Sequence, residues 1–241
     1  MASGRNATRT PAIHLRPTAA LAERVLLPGD PGRALMLAQS LLTEPRMFNH
    51  NRGLWGYTGA AGDGEPLTIQ ATGMGGPSAA IVLSELISLG VRRAIRVGTC
   101  GALDASLALG ELLIASEAIC MDGTSRALGA RERAAADRSL TAALRRSALS
   151  ARAGTITSVD LFYEPDGSRA DSHAGAAQSL AVEMEAAALF ALGASSGIAV
   201  GCILVVSDVF EPDGTRVRID EQALLEAAQR MGAAAVAALT G

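Results

Sequence analysis

The stretch Ala94-Ile95-Arg96-Val97-Gly98-Thr99-Cys100-Gly101-Ala102-Leu103 decides how the rest of the chain is read. An apolar, β-branched run this short, stopped by glycine, predicts a buried strand of a largely parallel sheet. Arg96 is the anomaly within it, because a guanidinium placed there needs an anion. Residues 98–101 read as a turn at the carboxyl end of the strand, where open α/β sheets bind ligands. Its N–H groups and the Thr99 hydroxyl are placed to converge on a small anion. The competing reading of the same ten residues is an arginine pointing into solvent beside an ordinary glycine turn.

Composition bounds what that strand belongs to. A chain of 241 residues, 49% hydrophobic and 19% charged, can bury a full core, most simply as one α/β domain. A formal net charge of −3 leaves no electrostatic footprint for nucleic acid, and 3% aromatic residues leave little to stack on bases along a strand. Cys100, Cys120 and Cys202 are odd in number and set in apolar surroundings, which suits reduced thiols in a cytoplasm, and no cysteine or histidine spacing proposes a metal. Residues 1–11 read as a disordered leader without an apolar signal core, and no run is long enough to span a bilayer. All 21 basic residues are arginine, so lysine-based phosphate loops, Schiff bases and pyridoxal chemistry are excluded. Any bound anion must be held by arginine, backbone and hydroxyls.

Working outward toward the N-terminus, residues 24–27 predict a strand that enters Pro28-Gly29-Asp30-Pro31-Gly32-Arg33, followed by a helix over 34–42. Such a turn offers free N–H groups at a helix start, with Arg33 able to face the same anion. His14, on a short extended piece at 13–15, and Arg52, in a loop before a 54–59 and 67–71 hairpin, read equally as surface groups. The glycine loop at 72–78 leads into a helix over 78–89, and is explained as well by packing as by ligand approach.

Toward the C-terminus, strands are expected at 110–120 and 153–159, with a helix over 131–150 between them. Phe162 and Tyr163 either wall a flat ligand or pack beneath a loop, and polar residues 164–178 read as a mobile flap or short helix. Leu180-Ala181-Val182-Glu183-Met184-Glu185-Ala186 runs from strand into a helix over 186–195. Capping accounts for one of its glutamates, whereas sugar hydroxyls are natural partners for a pair. The strand at 199–206 ends at Ser207-Asp208, where an aspartate emerging from apolar surroundings is suited to donate a proton or simply caps a turn. An amphipathic helix over 220–239 closes the chain.

In order, Pro28-Gly29-Asp30-Pro31-Gly32-Arg33, Ile95-Arg96-Val97-Gly98-Thr99-Cys100-Gly101, Val182-Glu183-Met184-Glu185-Ala186 and Val206-Ser207-Asp208 resemble the signature segments of the trimeric or hexameric nucleoside phosphorylases. The likeness extends from His14 onward. It implies an α/β three-layer sandwich with a mixed, partly closed central sheet, one domain over 1–241, and a cytoplasmic homo-oligomer assembled as a trimer of dimers. The implied reaction is phosphorolysis of purine nucleosides to free base and (deoxy)ribose 1-phosphate, with inorganic phosphate as co-substrate and no other cofactor or metal. The resemblance assigns Gly29, Arg33, Arg52, Arg96 and Thr99 to phosphate, and His14, Glu183, Met184 and Glu185 to ribose. It assigns Phe162, Val182, Ser207 and Asp208 to the base, with His14 and Arg52 lent across a dimer interface. Asp208 is the implied acid at purine N7 and Arg96 the implied catalytic cation. The arginine expected beyond Asp208 is met by Arg216, Arg218 or neither.

The resemblance favours purine over uracil. Uridine-cleaving members carry a glutamine and arginine after the Phe-Tyr step, where this chain has Glu164-Pro165-Asp166-Gly167-Ser168-Arg169, and they lack the acid at Asp208. An aspartate there suits 6-amino or broad purine use. The alternatives are a uridine phosphorylase, a hydrolytic methylthioadenosine-type nucleosidase, which has no need of Arg33, Arg52 and Arg96, and a nucleoside-binding protein without turnover. The phosphorolysis reading requires Arg33 and Arg96 to share one place and Asp208 to lie near Glu185.

Overall fold

Eleven strands form one mixed sheet in the computed structural model, which describes residues 12–163, 179–211 and 215–240. Strand β1 (Arg24–Leu27) is followed by α1 (Pro31–Leu41), β2 (Thr43–Asn49), a single 3₁₀ turn (Asn51–Gly53), β3 (Gly56–Ala60), β4 (Pro66–Gln70) and α2 (Gly76–Leu89). The middle of the chain supplies β5 (Arg93–Ala102), β6 (Leu112–Met121), α3 (Gly123–Ala127), β7 (Arg133–Ala135), α4 (Arg138–Ser147) and β8 (Arg152–Val159). The C-terminal part adds β9 (Ala181–Glu183), α5 (Ala186–Ser196), β10 (Ala199–Phe210), β11 (Arg216–Arg218) and α6 (Glu221–Thr240).

The sheet order is β11-β10-β6-β8-β9-β5-β1-β4-β3-β2, with β7 on β6 and a further pairing of β10 with β5. That pairing closes β10, β6, β8, β9 and β5 into a five-strand ring, so the sheet is partly a barrel and partly open. Parallel pairs such as β1 with β5 and β5 with β10 sit beside antiparallel ones such as β6 with β10. Side chains alternate between two cores, one under α2 and α5 and the other under α1, α4 and α6, which makes three layers. On β5, Ala94 and Cys100 enter the first core and Ile95 and Val97 the second.

Several elements depart from the sequence expectation. Residues 98–101 are not a turn: β5 continues to Ala102 because β10 lies alongside it in register from Ala199↔Arg93 to Val206↔Cys100. A continuous ladder outweighs the weak strand preference of glycine. Strand β10 likewise does not end at Ser207-Asp208 but passes through a register shift there and runs on to pair with β11. The expected helix over 131–150 divides, since residues 133–135 pair with β6 and Asp137 caps α4 by accepting the N–H of Leu140 at 2.9 Å. Strand β2, with Glu44, Pro45 and Arg46, carries no apolar alternation and is an edge strand, where charge and proline are tolerated. The leader at 1–11 and the segment at 164–178 lie outside the described residues. Among the described residues no helix is long and apolar enough to cross a membrane.

Candidate active site

Burial sets the problem at the centre of the site. Arg96 is 3% exposed, and the anions that meet it within this chain are two carboxylates. Its Nε donates to Glu183 Oε2 at 2.9 Å and its Nη2 to Glu185 Oε2 at 2.5 Å. Burial works against the Arg96 charge, but Glu185 and then Glu183 outweigh it and raise the guanidinium pKa. Nη1 is buried with no partner among the described residues. Gly98 is what lets the guanidinium lie there, because a Cβ at that position would sit 2.8 Å from Arg96 Cζ.

The two glutamates are held differently. Glu183 accepts from the Ser158 hydroxyl, from the N–H of Glu185 at 2.9 Å and from the N–H of Ala186 at 3.0 Å, so it closes the start of α5 as well as gripping Arg96. Burial raises its carboxyl pKa against the opposing pull of Arg96. Glu185 takes the N–H of Gly75 at 2.5 Å on Oε1, which ties the junction of β9 and α5 to the loop before α2. In that loop Gly73 and Gly75 have φ of 73° and 84°, and Met74 between them is 87% exposed. Met184 is partly buried between the two carboxylates.

Arg33 stands partly buried in the first turn of α1. Burial lowers its pKa, Asp30 opposes that, and Arg96 lowers it further, which places the two guanidinium groups within electrostatic reach of one another. Asp30 caps α1 by accepting the N–H of Arg33 at 2.6 Å, so this helix start is not left with all its N–H groups free. Gly29 abuts the carbonyl of Gly73, and Pro28 accepts the N–H of Thr72 at 2.9 Å, joining the two glycine loops. Thr99 is partly exposed on β5, on the opposite face from Arg96 by strand alternation and thus toward the layer that carries α1.

The register of the ring brings in the acid. Gly101 pairs with Val182 on one side and with Asp208 on the other, so Asp208 lies two strand spacings, about 10 Å, from the start of the glutamate segment. Cys100, its thiol pushed up by burial and by Glu183, also feels Arg96 and Asp208. Asp208 is 3% exposed. Its Oδ2 accepts from the Ser207 hydroxyl at 2.6 Å, and its Oδ1 accepts from Arg216 Nε at 2.8 Å, with Arg218 Nε at 3.9 Å. The nearer arginine is therefore Arg216. Its guanidinium carbon also lies 4.3 Å from the centroid of the Phe162 ring, which is half exposed and edge-on to Tyr163.

His14 and Arg52 form a separate cluster. His14 Nδ1 lies 2.6 Å from Glu85 Oε1, Glu85 also accepts the N–H groups of Ile13, His14 and Leu15, and Asn51 donates to the carbonyl of His14 at 2.8 Å. Arg52 is exposed on the 3₁₀ turn with φ 58°. Among the described residues, no hydrogen bond or ion pair joins either to Arg96, Glu183, Glu185 or Asp208. A cleft of about 470 Å³ beside α6, lined in part by Gly110, Arg218, Asp220 and Arg230, contains none of the groups around Arg96.

Ser158 and Glu85 carry contacts at these clusters that no sequence motif marked, whereas Gly75 comes from the glycine loop at 72–78. A serine inside an apolar strand gives no signal.

A mixed, partly closed α/β sheet, with Arg96, Glu183, Glu185 and Asp208 buried near the ends of β5, β9 and β10, is the frame of the candidate site. Residues 23–240 match the pattern of the phosphorylase superfamily, and the chain belongs to that family. It is 37% identical over 195 residues to a DeoD-type purine nucleoside phosphorylase of Oceanobacillus iheyensis, covering 78% of this chain and 83% of the relative. It is 38% identical over 197 residues to another such enzyme from Clostridium novyi, with the same shares covered. Among solved structures, a uridine phosphorylase from Vibrio fischeri superposes with a TM-score of 0.80 at 25% identity, over 91% of this chain and 92% of that one.

Proposed function

We propose that the protein is a purine nucleoside phosphorylase, releasing the free base and (deoxy)ribose 1-phosphate with inorganic phosphate as co-substrate and no further cofactor. The observation that carries this reading is the unpartnered Nη1 of buried Arg96, within electrostatic reach of Arg33. A dianion between the two guanidiniums would satisfy the orphan donor and relieve their repulsion. Gly29 would join the phosphate site, and Thr99, on the face of β5 turned toward the layer of α1, would meet the anion from the Arg33 side.

In the reaction, a phosphate oxygen bonds to C1′ while the C1′–N9 bond breaks and its electron pair passes to the base. Positive charge grows on the sugar and negative charge on the base, so phosphate on one side and a proton from Asp208 to N7 on the other stabilise both ends. Glu185, Met184 and His14 serve the sugar; Phe162, Val182 and Ser207 serve the base. His14 and Arg52, neither joined to Arg96 by a hydrogen bond or ion pair among the described residues, would be lent by a second copy in a trimer of dimers. The cytoplasm suits three free thiols.

Purine is favoured by Asp208 and by the names of the relatives at 37% and 38% identity. The likeness to a uridine phosphorylase supports a second reading, cleavage of uridine. Release of base from adenosine, inosine, guanosine and uridine, each with and without phosphate, decides between them. Phosphate-dependent cleavage of the purines is expected. Cleavage without phosphate makes the protein a hydrolase, and a preference for uridine reverses the substrate assignment.

A further inference from the structure

We infer that Glu183 is a positioning residue for Arg96 and not a ligand of the sugar, with Ser158 completing its grip; this deepens the phosphorolysis reading and rests on it. An ionised carboxylate offers about four lone-pair directions. In Glu183 all are occupied by the protein. Oε2 accepts from Arg96 Nε and from the N–H of Glu185, both at 2.9 Å, and Oε1 accepts from the Ser158 hydroxyl. The N–H of Ala186 lies 3.0 Å from each oxygen. The side chain is 1% exposed, which leaves no face for a hydroxyl to approach. Glu185 differs: among the described residues two donors meet its two oxygens, Gly75 N–H and Arg96 Nη2, so it retains capacity for a sugar.

What Glu183 controls is direction. A guanidinium is a rigid plane, so fixing Nε on Glu183 and Nη2 on Glu185 also fixes where Nη1 points. Nη1 is buried without a partner among the described residues and is the donor offered to phosphate. Ser158 extends the grip into the helix: its Oγ donates to Glu183 and accepts the N–H of Ala187 at 2.9 Å, so β8, β9 and the first turn of α5 hold one carboxylate in place. Glu183 thus sits behind Arg96 and sets its aim, while Glu185 stands beside it facing the substrate.

The experiment compares the parent with Glu183→Gln and Ser158→Ala. It measures the KM for phosphate, and the ratio of kcat/KM for inosine to that for 2′-deoxyinosine and 3′-deoxyinosine. A positioning residue predicts a phosphate KM raised roughly tenfold in Glu183→Gln, the worth of one charge-assisted hydrogen bond, and a smaller rise in Ser158→Ala. Both ribose-to-deoxyribose ratios stay at the parent value. A phosphate KM that does not move in the folded variants, or a ratio that collapses in Glu183→Gln, overturns the assignment. Should Glu183→Gln not fold, Ser158→Ala decides by the same phosphate KM. If the parent itself cleaves without phosphate, the phosphorolysis reading is what has failed. Calorimetric titration with adenosine and 2′-deoxyadenosine then decides the inference separately: an affinity difference kept in Ser158→Ala and Glu183→Gln supports it, and a lost one refutes it.

Discussion

Arg216 donates from Nε to Oδ1 of Asp208 at 2.8 Å while the same guanidinium lies over the ring of Phe162. The pair joins β10 to β11 across a hairpin, with Asp208 in register opposite Arg218 and Phe210 opposite Arg216. If Asp208 delivers the proton to the base, the two side chains act as one unit. Asp208→Asn should lower kcat for purine nucleosides about a hundredfold or more while leaving nucleoside binding in place. Arg216→Ala should lower it less, and the double variant should be no worse than Asp208→Asn alone. Steady-state kinetics with adenosine and inosine check this; additive losses would show that the two residues work independently.

Arg33 tests the other flank. Its charge is disfavoured by burial and by that of Arg96, and favoured by Asp30. Replacing it with methionine removes the repulsion along with the ligand contact. The folded protein should be as stable as the parent or more so, while the phosphate KM rises roughly 10- to 100-fold, the loss of a hydrogen bond to a charged group. Thermal unfolding and phosphate titration of the rate read the two effects separately.

Gly98→Ala probes the space beside Arg96. A methyl there would meet Cζ at 2.8 Å and Nη2 at 2.8 Å, closer than side-chain carbons come to other atoms, so the guanidinium must move. Alanine keeps strand geometry, and the expected result is a folded enzyme with a raised phosphate KM and a nucleoside KM changed less. Equal changes in both would place the defect in the whole site.

Asp63 gives a pH dependence with a definite sign. Arg24 donates to both its carboxylate oxygens at 2.7 Å, and this holds the Asp63 pKa near 2, down from 3.8. A carboxyl depressed in the folded state contributes stability above its unfolded pKa and loses it as pH falls through the folded one. The melting temperature of Asp63→Asn should therefore lie below that of the parent at pH 7, and the gap should close between about pH 4 and pH 2. Melts in a pH series check it; a gap that widens in acid would reverse the sign.

Short-range chemistry made much of this protein legible before its structure. The stretch at 24–42 read correctly as strand, glycine turn and helix because proline and glycine act on their immediate neighbours, while the cap that Asp30 places on the helix start was not part of that reading. The run from 180 to 186 read correctly as strand into helix for the same reason. Misreadings came where a distant partner decides. Residues 98–101 follow β10, a hundred positions away, and residues 133–135 leave a helix-favouring composition to pair with β6.

The sequence by itself determined the chemical inventory: arginine in place of lysine, two glutamates around Met184, and an acid after an apolar strand, in an order that identifies the family. Only the tertiary structure decided who faces whom. Arg96 meets Glu183 and Glu185 because ring closure sets β9 against β5, and Arg216 reaches Asp208 diagonally across the β10–β11 hairpin at 2.8 Å although the register sets Arg218 opposite it. Residue types follow from local bonding, but the choice among several possible ion partners depends on which backbone carries each to within 3 Å. That distance is fixed by sheet pairing over the whole chain, which no window of sequence contains.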